Sequence, residues 1–305
     1  MILGHERQQK FFNEVIKNGT LAHAYLLHGP RCVGKFKVAQ SIVKQLFCAV
    51  AREGKSCECL SCKNIENFSH PNVIFLDTQR TLVSKKEKRK EIPIEDIREL
   101  RRIFSLSSRN VWRVAIIDEA EKLSQEAANA FLKTLEEPGS NTLFLFIAES
   151  KEFIPATIVS RTQPVFFSLV PQTILEKFLQ SKESSAVRRE ALLSLAYGRP
   201  GLLVAYLSDQ SLFERDVMLK SGLEKILKGN IPTIFKLSEK YSQDPQEARK
   251  VAENVVRLVR ECLIRDMDSQ SVQRLKQMYR ISELMETTNV NPRLALDALL
   301  LAASF

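Results

Sequence analysis

The stretch Gly29-Pro30-Arg31-Cys32-Val33-Gly34-Lys35-Phe36 constrains this chain more than any other, because it meets the phosphate-loop pattern G-x-x-x-x-G-K-[ST] at every fixed position but the last. Two glycines let successive backbone N–H groups turn inward on an anion, and the lysine puts a point charge at the outer phosphates. The apolar run Ala24-Tyr25-Leu26-Leu27 reads as a buried strand leading in. Lys35 to Phe47 reads as the helix leading out, with Val38, Ala39, Ile42, Val43, Leu46 and Phe47 on one face, so the loop falls at a helix N-terminus. The eighth position ordinarily supplies a hydroxyl to Mg²⁺, and Phe36 has none. Hydrolysis within this chain is therefore not expected, whereas ATP binding through the loop amides and Lys35 stays open.

Around the loop, residues 1–167 alternate strand and helix. Apolar strands are expected at Val73–Leu76, Val114–Ile117, Leu143–Ile147 and Val165–Phe167, and helices at Ile94–Phe104 after Pro93 and from the Ser124 cap to Glu136. Strands apolar on both faces and separated by helices predict a parallel sheet covered on both sides. From Ser168 onward only helical segments follow, with a break near residue 207, which divides the chain into an α/β domain (1–167), a small helical lid (168–206) and a C-terminal helical bundle (207–305). The fold class is α/β plus α.

Three further features bear on chemistry. Asp118-Glu119 closes a strand, where α/β sheets place their ligands; in phosphate-loop ATPases such a pair holds Mg²⁺ and orients the attacking water. Cys48, Cys57, Cys59 and Cys62 sit in a short insert at 48–62, and four thiolates are a zinc donor set, although the C-x-C step is unusual and free thiols are the alternative. Net charge is +9, which suits a polyanionic neighbour, and the densest basic run is Lys85-Lys86-Glu87-Lys88-Arg89-Lys90, whose first reading is a solvated loop between a strand and the next helix. The start lacks the apolar region of a signal peptide and no apolar run is long enough to span a bilayer, so a cytoplasmic location and no membrane partner are expected.

Taken together, Gly4-His5, Leu21-Ala22-His23-Ala24-Tyr25-Leu26, the phosphate loop, the cysteine insert, His70-Pro71, Asp118-Glu119-Ala120, Leu135-Glu136-Glu137-Pro138 and Ser160-Arg161-Thr162 resemble a bacterial DNA polymerase III clamp loader subunit of the AAA+ superfamily. Phe36, Ala148-Glu149-Ser150 and Arg199-Pro200-Gly201 depart from the motor subunits and are similar to the delta prime type; the alternative is a gamma/tau-like motor that hydrolyses ATP itself. The resemblance implies a P-loop AAA+ domain, a lid and a collar. It further implies a hetero-pentamer with other clamp loader subunits, a sliding clamp and primed DNA as partners, and a zinc module at the four cysteines. Arg161 then stands where the family carries an arginine finger acting in trans, with Asp118 and Glu119 vestigial in cis, and Gly29, Gly34 and Lys35 as the nucleotide cradle.

Overall fold

The computed structural model describes residues 2–80, 82–83, 89–106, 111–227, 232–263, 269–288 and 290–304. They form two compact units: residues 1–177 with 198–201, and residues 178–197 with 202–305.

The first unit is built on five parallel strands, β1 (Ala24–His28), β2 (Val73–Leu76), β3 (Arg113–Ile117), β4 (Thr142–Ala148) and β5 (Gln163–Phe166), in the order β2-β3-β4-β1-β5. Every residue of β2, β3 and β4 is buried, as continuous Val, Ile, Leu and Phe runs require when helices cover both faces. One face carries Leu26, Ile117, Phe144 and Phe146 against α5 (Ile94–Leu106) and α6 (Gln125–Glu136). The other carries Tyr25, Leu27, Ile116 and Leu145 against α1 (Glu6–Lys17) and α2 (Lys35–Phe47). Two short helices, α3 (Ala49–Arg52) and α4 (Leu60–Glu66), make up the cysteine insert, and α7 (Ala156–Val159) precedes β5.

The structure departs from the sequence reading in its unforeseen helices and at the last strand. Helix α1 and the short helices α3, α4 and α7 were not anticipated. The last strand is Gln163–Phe166 rather than Val165–Phe167: it runs along the edge with Pro164 opposite Leu26 and Phe166 exposed, and an edge is where a strand tolerates a proline that lacks a donor.

Helix α8 (Gln172–Gln180) spans the division between the units, and α10 (Pro200–Ser208) begins in the first and continues in the second. The second unit otherwise contains α9 (Ala186–Ala196), α11 (Gln210–Leu227), α12 (Pro232–Tyr241), α13 (Pro245–Leu263), α14 (Ser269–Thr287) and α15 (Pro292–Ser304). Helix α13 buries the stripe Ala248, Val251, Ala252, Val255, Val256 and Val259, the 3.6-residue spacing of an amphipathic helix. Between α10, α11 and α13 lies a polar knot. Asp216, fully buried, accepts from Tyr206 at 2.6 Å and pairs with Arg215 at 3.1 Å and Arg257 at 3.6 Å.

Candidate nucleotide and metal sites

Strand β1 ends at His28 and helix α2 begins at Lys35, so the loop between them turns at the C-terminal edge of the sheet. Both glycines have a structural reason. Gly34 sits at φ 111°, and Gly29 at φ 145°, where an added Cβ would lie 2.0 Å from the Phe167 carbonyl oxygen. Cys32 also has a positive φ of 60°.

Residues remote in sequence brace the loop. His5 bonds through Nε2 to the Val33 carbonyl at 2.9 Å, and the Gly201 N–H donates to the Cys32 carbonyl at 2.8 Å. Any side chain at 201 would crowd that contact, since its Cβ would stand 2.9 Å from the Cys32 oxygen. Neither residue could be tied to the loop from spacing alone.

Lys35 is only 7% exposed and folds back, donating to the Gly29 carbonyl at 2.6 Å and the Pro30 carbonyl at 2.8 Å. Burial lowers its pKa to about 8 against the opposing pull of Asp118 and Glu121. Asp118 follows β3 and its N–H donates to the Leu76 carbonyl at 2.8 Å. Burial raises its carboxyl to about 6, with Glu119 and Asp77 adding to the rise. Glu119, in the left-handed region at φ 51°, accepts from the Thr78 hydroxyl at 2.9 Å. Glu121, overlooked in the sequence, belongs here too: burial raises its pKa and its Oε2 has no hydrogen-bond partner among the described residues. Carboxylates gathered around one lysine in low dielectric call for a cation. Phe36, however, puts a ring where the metal hydroxyl would be, and it packs with Phe68 at 5.8 Å and Phe75 at 6.3 Å between ring centroids.

Arg161 lies at the other edge of the sheet. Gln163, which opens β5, is level with Tyr25, which is near the start of β1. Arg161 therefore falls about 15–20 Å below the loop along the strands, at about 3.3 Å per residue. Its guanidinium is held by Glu136, at 2.6 and 3.1 Å, and by the Thr157 carbonyl at 3.0 Å. This geometry takes Arg161 out of reach of its own chain's loop.

The four insert cysteines converge, each sulfur lying within 4.8 Å of the other three. Bonds of about 2.3 Å to a tetrahedral zinc give sulfur–sulfur edges of about 3.8 Å, and the Cys59 and Cys48 sulfurs are 3.8 Å apart. Backbone N–H groups already serve two of them: Ala51 donates to Cys48, and the Cys62 amide lowers the Cys59 thiol to about 7. Cys59 stands at the N-cap of α4 and Cys62 in its first turn, and the C-x-C step still brings the Cys57 sulfur within 4.8 Å of the other three. These residues fit a metal. In the basic run, residues 85–88 lie outside the described residues, and Arg89 pairs with Asp96 at 3.9 Å.

Comparison with known proteins agrees with this arrangement. A structure from Thermotoga maritima, a DNA polymerase III gamma subunit-related protein, superposes over 97% of this chain and 98% of its own with a TM-score of 0.56 at 17% identity. The likeness is one of fold, and that fold is AAA+. Among relatives, DNA polymerase III subunit delta' of Pseudomonas aeruginosa is 29% identical over 73% of this chain and 67% of its own length. The tau subunit of Bacillus subtilis is 33% identical over 55% of this chain, which spans only 29% of that relative. The gamma subunit of Buchnera aphidicola is 31% identical over 79% of this chain and 64% of its own length. The family model for DNA polymerase III, delta subunit, matches residues 4–171, the stretch that holds the loop, the cysteine cluster, Asp118 and Arg161, and the chain belongs to that family.

Proposed function

We propose that this chain is a delta prime-type subunit of the DNA polymerase III clamp loader. In this reading it helps place a sliding clamp on primed DNA and completes the ATP site of a neighbouring subunit instead of turning over nucleotide in its own. The observation that carries the reading is Phe36, packed among Phe68 and Phe75 where a Mg²⁺-binding hydroxyl is needed. The separation of Arg161 from the loop supports it, since an arginine at that edge can reach a phosphate only on another chain.

Each site residue then has a role. Arg161 stabilises charge building on the γ-phosphate of the neighbour's ATP. Gly29, Gly34 and Lys35 keep a phosphate cradle, while Asp118 and Glu119 are remnants of the cis site. Cys48, Cys57, Cys59 and Cys62 hold a zinc ion that clips an insert too small for a core of its own. Residues 168–206 act as the lid, and residues 207–305 as the collar that joins other clamp loader subunits in a hetero-pentamer.

The test is Arg161→Ala in the reconstituted complex. Assembly should be retained and DNA-stimulated ATP hydrolysis should fall by about 10³-fold or more, the usual worth of such a finger. An unchanged rate would sink the assignment. Lys35 with Asp118, Glu119 and Glu121 around it favours a second reading, a gamma/tau-like motor. The purified chain decides between them: turnover abolished by Lys35→Ala supports the motor, and no turnover, with or without binding, supports the trans-acting subunit.

A further inference from the structure

Helix α6 ends on Glu136, and Arg161 follows α7 by two residues, with Thr157 inside that helix and Ser160 closing it. The chain itself engages all three guanidinium nitrogens of Arg161. Nε and one terminal nitrogen donate to a single oxygen of Glu136, at 3.1 and 2.6 Å, while the other terminal nitrogen donates to the Thr157 carbonyl at 3.0 Å and the Ser160 hydroxyl at 3.2 Å. A guanidinium offers five N–H donors in a fixed fork. These bonds leave it one N–H among the described residues, so it cannot grip a phosphate on two prongs while they stand.

Glu136 is not placed for the good of its helix. The carbonyl end of a helix carries partial negative charge, which repels a carboxylate in the last turn. Arg161 is what the acid meets there. The pair is also one that can be given up: its side chains are 35% and 51% exposed, and ion pairs open to water contribute little. A terminal phosphoryl group brings more negative charge and more acceptor oxygens to the same fork. A carboxylate left beside that phosphate would repel it.

We propose that Glu136 is the resting counter-ion of Arg161, displaced by the γ-phosphoryl group of a nucleoside triphosphate on the neighbouring subunit, so that the finger engages by exchanging one anion for another. Glu136 touches no substrate and acts through Arg161, as a positioning residue. A nucleoside diphosphate lacks the competing group and leaves the pair closed. The inference rests on Arg161 acting in trans, and the experiment separates the two.

The test is steady-state ATP hydrolysis by the reconstituted complex, with and without primed DNA, across a range of ATP concentrations. Glu136→Gln keeps the size of the side chain and removes its charge; the residue is exposed, so the fold stays intact, as thermal melting will verify. The apparent KM for ATP should fall and the DNA-independent rate should rise, each about two- to fivefold, the ratio to which an exposed ion pair converts. The DNA-stimulated kcat should be retained. Glu137→Gln, at the exposed acid next in sequence, should change none of these, and Glu136→Gln should have no effect when Arg161→Ala is already present. A fall in kcat at constant KM, no response to Glu136→Gln, the same response to Glu137→Gln, or a response that persists without Arg161 would overturn the exchange. If Arg161→Ala alone hydrolyses at the unaltered rate, the finger assignment itself fails and the exchange with it; a complex that depends on Arg161 but ignores Glu136→Gln removes the exchange alone.

Discussion

At Lys35 and Asp118 burial works against charge in opposite senses. The Lys35 pKa falls from 10.5 to about 8, so its penalty is fully present below pH 8 and is relieved as pH rises from there toward 10.5. The Asp118 pKa rises from 3.8 to about 6, so its penalty is absent below 3.8 and complete above 6. Between pH 6 and 8 the nucleotide-free fold bears both. Lys35→Met should therefore stabilise the free chain by about 1–2 kcal/mol at pH 7, at 1.36 kcal/mol per pKa unit less about 1 kcal/mol for each of the two carbonyl hydrogen bonds. It should also flatten the pH dependence between 8 and 10.5. Urea unfolding at neutral and alkaline pH measures this, and a less stable variant at pH 7 would contradict it. Phe36→Thr runs the other way. Restoring the hydroxyl removes a half-buried ring from its contacts with Phe68 and Phe75, at a cost of about 1–3 kcal/mol.

At the scale of elements, legibility followed the source of the signal. Helix α2 and strand β2 lie at the residues expected because periodicity and flanking turns are local. Helix α6 starts where Ser124 said it would, its hydroxyl accepting from the Ala127 N–H at 3.1 Å. Helix α1 offers no such cap: it begins after His5 at φ 63° without a side-chain bond to its first turn. Strand β5 is fixed by pairing with β1, which hydropathy alone does not display. His5, Gly201 and Glu121 reach the site through long-range packing, so nothing in their neighbourhoods announces them.

The cysteine insert lies between these cases, since its donors were legible and their convergence was not. Two short helices with few buried side chains cannot hold themselves together. The purified chain should carry about one zinc ion, and a strong chelator should release it and unfold residues 48–66 while α2 keeps its amide protection. Elemental analysis with hydrogen exchange checks both, and a metal-free native chain with an ordered insert would refute the assignment.

At the scale of the molecule, the second unit carries a polar knot that its helices enclose. Removing the carboxylate with Asp216→Ala takes the Asp216 contact from Arg257, which keeps the Leu195 carbonyl at 3.0 Å, and leaves the Tyr206 hydroxyl without its acceptor. Breaking such a pair costs about 3–5 kcal/mol. Hydrogen exchange should show protection falling across α9, α10, α11 and α13 while β1, β3 and β4 keep theirs. Residues 198–201 belong to the first unit although helices of the second flank them on both sides. The chain thus passes from one unit to the other after residues 177, 197 and 201. A single proteolytic nick at any one of these passages leaves the halves joined by the other two, and a fragment ending at 177 loses the amide of Gly201 on which the carbonyl of Cys32 rests. The first unit is not a detachable cassette: part of the wall of its own phosphate loop is encoded beyond the helices of the second.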